Sequence, residues 1–490
     1  MNVLEKIVLD KRDELVGRKN TMPLFAFKDG LEPSTRNFYS AIKQDKTKNN
    51  RGFILEVKKA SPSKGLIRED FDLEEICSAY RNYASCVSVL TDEKYFQGDF
   101  ERLPKVRELM QQPILCKDFF VDEYQVYLAR LYGADAILLM LSVLNDEEYR
   151  CLADVAHSLE MDILTEVSNA EEMDRAINLN ANIVGINNRN LRDLSTDLNQ
   201  TIVLTEQFLL GTDNERQANT LLISESGIYT HQQVAQLSTL VDGFLVGSSL
   251  MAEKDLDKAC SKLTCGEHKV CGLTTSEHVI EAVQAGTEFT GLIFAEQSKR
   301  KLELSKAKKI VDEVSASNNA IRTKYVAVVQ NQSIEFVRDL INELPLFAVQ
   351  LHGNESEDYI KQVRALGTNC EIWKACSIGA SEDLPVHWPN VDRIVLDAKS
   401  INGELGGTGQ TFEWSKLAPL FSKFDGPKIM LAGGISISNL DSALSQPVIG
   451  LDLNSGVESS PGVKSTEKLN NIFNKIMSRT ASLKDQHESE

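Results

Sequence analysis

The chain has 490 residues and a formal net charge of −18 at pH 7. A single hydrophobic core stops growing at roughly 250–300 residues, so this length predicts two domains. Hydrophobic residues make up 42% of the chain and charged residues 25%, which is typical of a globular protein. The acidic balance argues against nucleic acid or an anionic membrane surface as a partner, because both bind clustered lysine and arginine.

Cysteine and histidine usage indicates a protein of a reducing compartment. The nine cysteines lack CxxC spacing and the seven histidines are scattered, a pattern that favours neither a disulfide framework nor a zinc site. The first residues, MNVLEKIVLDKRDELV, carry charges throughout and do not resemble a signal peptide. No apolar run reaches the ~18 residues that a membrane span needs. We therefore expect a cytoplasmic protein without membrane partners.

Two helix-like segments, LEKIVLDKRDELV and PSTRNFYSAI, open the chain, and we expect them to form extra helices over one end of the first domain. Short apolar runs then recur every ~20–38 residues, with helix-like segments between them. Two of these segments start with a capping pair, Asn145 with Glu148 and Ser168 with Glu171. The runs of the first half are predicted strands at Phe53–Val57, Cys86–Thr91, Pro113–Lys117, Asp135–Leu141, Asp162–Glu166, Asn182–Asn187, Leu221–Glu225 and Gly243–Gly247.

The second half repeats the rhythm. A helical face of Ile334, Val337 and Ile341 follows Ser333. We place the domain boundary between residues 262 and 263, giving domains 1–262 and 263–490. The predicted strands of the second half are His268–Gly272, Thr290–Phe294, Lys324–Val329, Phe347–Leu351, Glu371–Ala375, Asp392–Asp397, Lys428–Ala432 and Ile449–Leu453.

The predicted strands are continuous apolar runs, as strands buried on both faces of a parallel sheet require. Eight strand–helix units per half is the count of a (β/α)8 TIM barrel, so the predicted fold is α/β with two consecutive barrels. Two doubly wound open sheets are the alternative, which the lack of a clear G-x-G-x-x-G turn makes less favourable. Neither a metal-binding cluster nor a dinucleotide motif is evident, so we expect catalysis without a cofactor.

In such barrels, function collects at the carboxyl ends of the strands. The first half places two lysines and three glutamates there, which is costly unless each is paired or catalytic. A structural ion network is the alternative for any one of them. Such a set pushes pKa values apart, as acid–base chemistry requires. The polar residues at these strand ends are Glu56, Lys58, Lys117, Glu166, Asn187, Arg189 and Glu225.

Small residues follow the last two predicted strands of each half, where barrels often bind phosphate. Any single Gly/Ser turn is more often only a turn, but together they indicate anion sites built from backbone N–H groups. In the first half the turns are SESGI, VGSSLM and Ser61–Gly65, and in the second half they are GGTG at Gly406–Gly409, LAGG at Leu431–Gly434 and NSGVES at Asn454–Ser459.

The second half offers a thiol and a carboxyl as a candidate base and acid. Cys271 ends its first predicted strand and Asp397 its sixth, while Arg300 and His352 follow the second and fourth. A free cysteine is usually a buried small hydrophobe, which is the alternative for Cys271. We interpret His352 as a residue that lines the site rather than one that carries a proton. Asp397 ends an apolar strand, and burying its carboxyl there is costly unless the group has a partner or a functional role.

Ordered motifs along the chain resemble two families. EVKKASPSKG, LCKDF, LTEVS, VGINNRNL, ISESGI and FLVGSSLM resemble indole-3-glycerol phosphate synthase. KVCGLT, SKR, VQLHGNE, GGTGQTFEW, LAGGI and LDLNSGVESSPG resemble phosphoribosylanthranilate isomerase. The order is similar to that of the fused bifunctional enzyme of enteric-type bacteria. The resemblance implies small phosphorylated anthranilate-sugar substrates, and a fused pair of this kind can be a monomer.

The resemblance also implies roles for individual residues. In the synthase half, Lys117 matches a general acid, Glu166 a base for dehydration, and Lys58 the group that holds the anthranilate carboxylate. Glu56 and Asn187 match supporting positions. In the isomerase half, Asp397 matches the general acid, Cys271 the general base, and Arg300 a nearby cation. Substrate- or phosphate-binding positions are implied for Ser61, Phe119, Arg189, Glu225, Ser226, Gly227, Gly247, Ser248, His352, Gly407, Gly409, Gly433, Gly434, Asp452, Ser455 and Gly456.

Two other functions fit parts of this pattern. A Schiff-base aldolase-type barrel would use Lys58 or Lys117 as a nucleophile, but carboxylates nearby should keep both lysines protonated. A binding or scaffold role for one half would require the loss of its catalysis, against which the complete acid and base sets in both halves argue.

Overall fold

The computed structural model describes residues 3–49, 51–190, 194–317, 323–367, 369–378, 389–398 and 428–478. These residues form two closed barrels, each of eight parallel strands that follow one another around the barrel in chain order. The predicted fold class is therefore confirmed. Within this part of the chain, no helix is both long and apolar enough to cross a lipid bilayer.

The N-terminal barrel closes where its first strand pairs with its eighth, Gly52 opposite Gly243. Its strands are Gly52–Val57, Cys86–Leu90, Ile114–Lys117, Ala136–Met140, Asp162–Val167, Ile183–Asn187, Leu221–Glu225 and Gly243–Val246. The helices that precede, connect and follow these strands along the chain are Val3–Thr21, Phe38–Asn49, Leu73–Tyr80, Glu93–Phe96, Arg102–Leu109, Glu123–Leu131, Asp146–Ser158, Ala170–Asn178, Asn199–Gly211, Asn214–Ala218, His231–Leu237, Ser248–Met251 and Leu256–Cys265.

The C-terminal barrel closes through the pairing of Lys269 with Asp452. Its strands are Lys269–Cys271, Phe289–Ile293, Lys324–Val329, Leu346–Leu351, Glu371–Ile378, Arg393–Ala398, Lys428–Leu431 and Gly450–Leu453. Its described helices are Ser276–Ala285, Leu304–Ala316, Ile334–Glu343, Glu357–Arg364, Leu440–Leu444 and Thr466–Ser478.

The described residues divide into two compact units, one of residues 3–229 and 237–264, the other of 230–236 and 265–478. The boundary predicted after residue 262 falls inside the helix Leu256–Cys265, three residues before its end.

Helix starts follow local side-chain chemistry, and one predicted start is wrong by a residue. Asn145 caps its helix as predicted, with both bonds of the capping box to Glu148 present. The next cap is Asn169 rather than Ser168. The Asn169 side chain accepts from the Glu172 N–H at 3.0 Å, while the Ser168 N–H donates to the Glu172 carboxylate at 2.7 Å. Both neighbours can cap, so composition alone did not choose between them.

The two helices that precede the first strand lie at opposite ends of the N-terminal barrel, so the expectation that they cover one end is wrong. Phe38 and Ile42, one helical turn apart, are fully buried against the core of the barrel. The Phe38 N–H also donates to Asp162, which begins the fifth strand, at 2.7 Å. The helix Val3–Thr21 instead places Val3 and Ile7 at a cavity beside the carboxyl ends of the strands.

A buried ion cluster fixes the helix Val3–Thr21 at that end. Lys11 is 2% exposed, and its ammonium lies 3.0 Å from Asp92 and 3.0 Å from Asp118. The Thr91 hydroxyl donates to the other oxygen of Asp118 at 2.7 Å. Burial disfavours the charge on Lys11, but the two carboxylates outweigh it and raise the pKa of the ammonium. The helix is therefore tied to the loops that follow the second and third strands.

Lys11→Met should lower the free energy of unfolding of the N-terminal barrel by about 3–5 kcal/mol, because it leaves two buried carboxylates without their cation. All three tryptophans lie after residue 370. Urea unfolding followed by tryptophan fluorescence therefore reports on the C-terminal barrel and should not change, while the circular dichroism transition should move to lower urea. Arg12→Met removes an exposed cation 3.6 Å from Glu148 and is the matched control. Equal shifts for both variants would contradict the cluster's role.

Candidate active sites

The mouth of the N-terminal barrel holds a cavity lined by residues from the strand ends, the loops that follow them and the first helix. Apolar side chains from the first helix and the aromatic rings of Phe96 and Phe119 form part of its wall. The predicted site residues that line it are Glu56, Lys58, Ser61, Lys117, Phe119, Arg189, Ser226, Gly227, Gly247 and Ser248.

The three remaining predicted residues, Glu166, Asn187 and Glu225, are buried beside this cavity. The Lys117 ammonium lies 3.1 Å from Glu225 and 3.4 Å from Glu56. Lys58 forms an ion pair with the other oxygen of Glu56. On the far side, the Asn187 side-chain amide donates to Glu166 at 3.0 Å. Strand-end residues that are far apart along the chain therefore meet in one cluster of charged and polar side chains.

Burial and charge separate the protonation behaviour of this set. Burial and the neighbouring Glu225 raise the pKa of Glu166 to about 7, although Lys117 and Asn187 oppose the shift. Burial disfavours the Lys117 ammonium, but Glu225 and Glu56 outweigh it and hold its pKa above the usual range. Burial lowers the pKa of Lys58, and the nearby cations of Lys117 and Arg189 lower it further. Lys117 is thus held charged, while Glu166 can gain or lose a proton near neutral pH.

Two glycines make room for these carboxylates, and sequence reasoning predicted only one of them. A Cβ at Gly247 would lie 2.3 Å from an oxygen of Glu56, and a Cβ at Gly185 would lie 1.9 Å from an oxygen of Glu225. Gly185 lies inside the sixth strand. A glycine that interrupts an apolar run often marks a place where another group packs closely against the strand, and this is the sequence signal that could have indicated Gly185.

Turns predicted to bind phosphate also line the cavity. Ala60–Ser61 and Gly65–Leu66 form a small antiparallel hairpin after the first strand. Ser226 and Gly227 both have positive φ, 66° and 77°. This conformation turns the chain sharply after the seventh strand. Gly247 precedes the short helix Ser248–Met251.

In the C-terminal barrel, Cys271 ends the first strand and is 5% exposed. Burial raises the pKa of its thiol, an effect that the nearby Lys269 ammonium opposes. Asp397 lies near the end of the sixth strand, and its carboxylate is 3.6 Å from the Nε2 atom of His352. His352 and Asp397 are therefore neighbours, and the role of His352 as a residue that lines the site stays a prediction.

Arg300 belongs to a second ion cluster that the sequence did not reveal. It donates to both oxygens of Glu458, at 2.8 and 2.6 Å, and Lys464 donates to the same carboxylate at 2.9 Å. Arg300 also packs over Gly272, the residue after Cys271. Burial lowers the pKa of Lys464, although Glu458 opposes the shift. Two cations thus share one carboxylate near the end of the first strand.

The other predicted positions of this barrel are only partly described. Gly433 and Gly434 have φ of 85° and 61°, so the chain turns sharply there. Ser455 and Gly456 lie in the 3-10 turn Ser455–Val457. Asp452 is paired with Lys269 at 2.7 Å. Gly407 and Gly409 lie outside the described residues. Among the described residues, no cluster of three or more histidine, cysteine, aspartate or glutamate side chains could hold a metal ion.

Each barrel therefore has its own cluster of titratable side chains at the carboxyl ends of its strands, and the fold defines a (β/α)8-barrel enzyme with a candidate site in each barrel. Residues 4–263 match the indole-3-glycerol phosphate synthase family, and residues 268–475 match the N-(5'phosphoribosyl)anthranilate (PRA) isomerase family.

Full-length relatives share both parts. The chain is 51% identical over 478 residues to "Tryptophan biosynthesis protein TrpCF" of Haemophilus influenzae, covering 97% of each chain. It is 52% identical over 476 residues to the protein of that name from Vibrio cholerae, covering 97% of this chain and 96% of the relative. A solved phosphoribosyl anthranilate isomerase from Thermus thermophilus is 30% identical, with a TM-score of 0.38, and covers 43% of this chain and 98% of its own.

The chain belongs to the family of fused tryptophan-biosynthesis enzymes, with an indole-3-glycerol phosphate synthase domain followed by a phosphoribosylanthranilate isomerase domain. It is a bifunctional enzyme with a lyase and an isomerase activity.

Proposed function

We propose that the N-terminal site converts carboxyphenylaminodeoxyribulose phosphate into indole-3-glycerol phosphate, releasing carbon dioxide and water. In this proposal Lys117 is the acid that donates to the substrate's carbonyl oxygen, and Lys58 binds the anthranilate carboxylate. The observation that carries it is the position of Lys117, within 3.4 Å of two buried glutamates at the cavity wall. A cation held in this way is aimed at a site where negative charge develops.

The proposed base for dehydration is Glu166. A general base is most effective when its pKa lies near the working pH, and the pKa of Glu166 is about 7. Asn187 holds one oxygen of this carboxylate and leaves the other for proton transfer. Glu56 pairs with both lysines, Glu225 pairs with Lys117, and Phe119 forms an apolar part of the wall. Ser61, Arg189, Ser226, Gly227, Gly247 and Ser248 surround the phosphate end of the substrate in this proposal.

If Glu166 is the base, synthase kcat/KM should fall as pH drops below about 7, because the protonated carboxyl cannot accept a proton. Asn187→Leu removes a hydrogen bond that favours the carboxylate, so it should move this limb to higher pH. Isomerase activity of the same variant is the internal control and should keep its wild-type profile. A synthase rate that rises on acidification would contradict the assignment and indicate a general acid instead.

We propose further that the C-terminal site isomerises phosphoribosylanthranilate by an Amadori rearrangement. Asp397 would protonate the furanose oxygen and open the ring, and Cys271 would take the C2′ proton. Both residues end strands of the same parallel barrel, so both project toward one mouth. Arg300 would stabilise charged species, and His352 would line the site. Gly407, Gly409, Gly433, Gly434, Asp452, Ser455 and Gly456 are proposed substrate- or phosphate-binding positions.

The test is a coupled assay that starts from phosphoribosylanthranilate and follows indole-3-glycerol phosphate. The wild-type chain should produce it without added metal or cofactor, and borohydride should trap no lysine adduct. A trapped adduct on Lys58 or Lys117 would support an aldolase-type mechanism instead. We also propose that the enzyme is cytoplasmic and acts only on small phosphorylated substrates. We propose that it is monomeric as well, and light scattering during turnover would check this oligomeric state.

A further inference from the structure

A buried polar layer crosses the C-terminal barrel beneath the proposed acid and base. Lys269 is fully buried, and its ammonium donates to Asp452 at 2.7 Å and to the Gln350 side-chain oxygen at 2.9 Å. Gln350 is 1% exposed and lies on the fourth strand. Burying the charge of a lysine in a barrel core costs free energy unless the charge is paired, so packing alone does not account for Lys269.

This layer lies beside Cys271 and is linked to Asp397 through His352. Cys271 lies two residues after Lys269 and therefore projects to the same face of the strand. A Cβ at Gly291 would lie 2.8 Å from the Cys271 sulfur and 3.0 Å from Lys269 Cε, so both side chains pack on this glycine. On the other side, the Gln350 side-chain nitrogen lies 3.1 Å from His352 Nδ1, and His352 Nε2 lies 3.6 Å from Asp397.

The chemistry of the side chains fixes the direction of these bonds. A lysine ammonium can only donate, so the Gln350 oxygen must accept from it. The Gln350 nitrogen then faces His352 and can only donate, so His352 Nδ1 must accept. In the neutral ring the proton consequently lies on Nε2, which faces Asp397. One buried ammonium thereby determines the orientation of an amide and the tautomer of a histidine.

We propose that Lys269 and Gln350 are positioning residues that prepare both ends of the isomerase acid–base pair. Lys269 favours the thiolate form of Cys271, and through Gln350 it fixes the His352 tautomer that donates toward Asp397. This rests on the roles proposed for Cys271 and Asp397. The rearrangement moves one proton from Asp397 to the ring oxygen and one from C2′ to Cys271. His352 Nε2–H would then stabilise the Asp397 carboxylate that the first transfer creates.

Other charged groups also act on Cys271. Burial raises the pKa of the thiol, Lys269 and Lys464 lower it, and Asp452 raises it. Arg300 is a further cation close by, which packs over the neighbouring Gly272. Of the two lysines, Lys269 has the larger effect on the thiol and packs with Cys271 on Gly291, so its loss should most directly raise the pKa of the thiol.

The first test is spectroscopic and does not depend on activity. In full-length protein labelled with 15N-histidine, the His352 resonances are assigned as those that disappear in His352→Asn. Wild type should show the Nε2–H tautomer, whereas Gln350→Glu, which presents an acceptor to Nδ1, should show Nδ1–H. A wild-type ring with its proton on Nδ1, or a tautomer unaffected by Gln350→Glu, would overturn the proposal.

The second test is kinetic. Gln350→Glu should lower isomerase kcat by about 10–100-fold, as is typical when a supporting hydrogen bond is lost, with KM within about threefold of wild type. Lys269→Met should move the acidic limb of the isomerase pH profile to higher pH, because the thiol loses a favourable cation while Asp452, which raises its pKa, remains. Synthase activity on the same chain should stay unchanged, and tryptophan fluorescence reports folding of the C-terminal barrel. An unchanged pH profile would overturn the proposal.

Failure of this inference can be separated from failure of the proposed function. If Cys271→Ala and Asp397→Asn keep full isomerase activity, the acid–base assignment itself is wrong. If those variants are inactive while Gln350→Glu keeps wild-type tautomer and rate, the assignment stands and only the positioning role is overturned.

Discussion

Lys117→Met should reduce indole-3-glycerol phosphate synthesis by about 1,000-fold or more and leave isomerisation within about twofold of wild type. A positioned general acid contributes typically ~10²–10⁴-fold, and here the same group also supplies the positive charge that faces the substrate. Methionine preserves the length and apolar stem of the side chain but has neither proton nor charge. Each activity is measured with its own substrate, so that loss of one step does not hide the other.

Two controls make this result specific. Lys94→Met removes a lysine that is 60% exposed and pairs with Asp10, and it should leave both activities unchanged. Lys117→Met also removes a cation from beside the buried Glu56 and Glu225, so a fold effect must be separated from a chemical one. The double variant Lys117→Met, Glu225→Gln lowers that charge penalty and should remain inactive. Recovery of synthase activity in the double variant would contradict the role of Lys117 as the acid.

Most of the fold could be predicted because the strands and helices of a parallel barrel alternate regularly, and this alternation is visible as recurring apolar runs in the sequence. All sixteen barrel strands among the described residues overlap the predicted runs, since strands buried on both faces must be continuously apolar. The position of the helix Val3–Thr21 could not be predicted in this way. Its apolar residues indicate that one face is buried, but they do not say at which end of the barrel. That choice depends on Lys11 meeting Asp92 and Asp118, a contact between distant parts of the chain.

The sequence could predict which residues of the candidate sites lie close together, but it could not predict which of them form ion pairs with each other. Strand ends of one parallel barrel share a mouth, so Glu56, Lys117 and Glu225 were expected together. Whether Lys117 would pair with Glu225 or with Glu166 depends on cross-barrel distances that no local pattern encodes. For the same reason, the pairing of Arg300 with Glu458 and the layer beneath Cys271 were not predicted.

Asp397→Asn should reduce isomerisation by about 100-fold or more without changing synthase activity on carboxyphenylaminodeoxyribulose phosphate. The amide preserves shape but cannot donate the proton that opens the furanose ring, and general acid–base catalysis of this kind is worth ~10²–10⁴-fold. Asp358→Asn, at a side chain that is 83% exposed, is the matched control and should retain both activities.

A mixture of Asp397→Asn and Lys117→Met should restore the overall conversion of phosphoribosylanthranilate to indole-3-glycerol phosphate. Each variant keeps the site that the other lacks, and the product of the isomerase site is the substrate of the synthase site. The mixture should show a lag while the intermediate accumulates, and a shorter lag at higher enzyme concentration. Because each half supplies its own proposed acid and base, each site should work without residues from the other half. Failure of two folded variants to complement would mean that the two sites do not work independently.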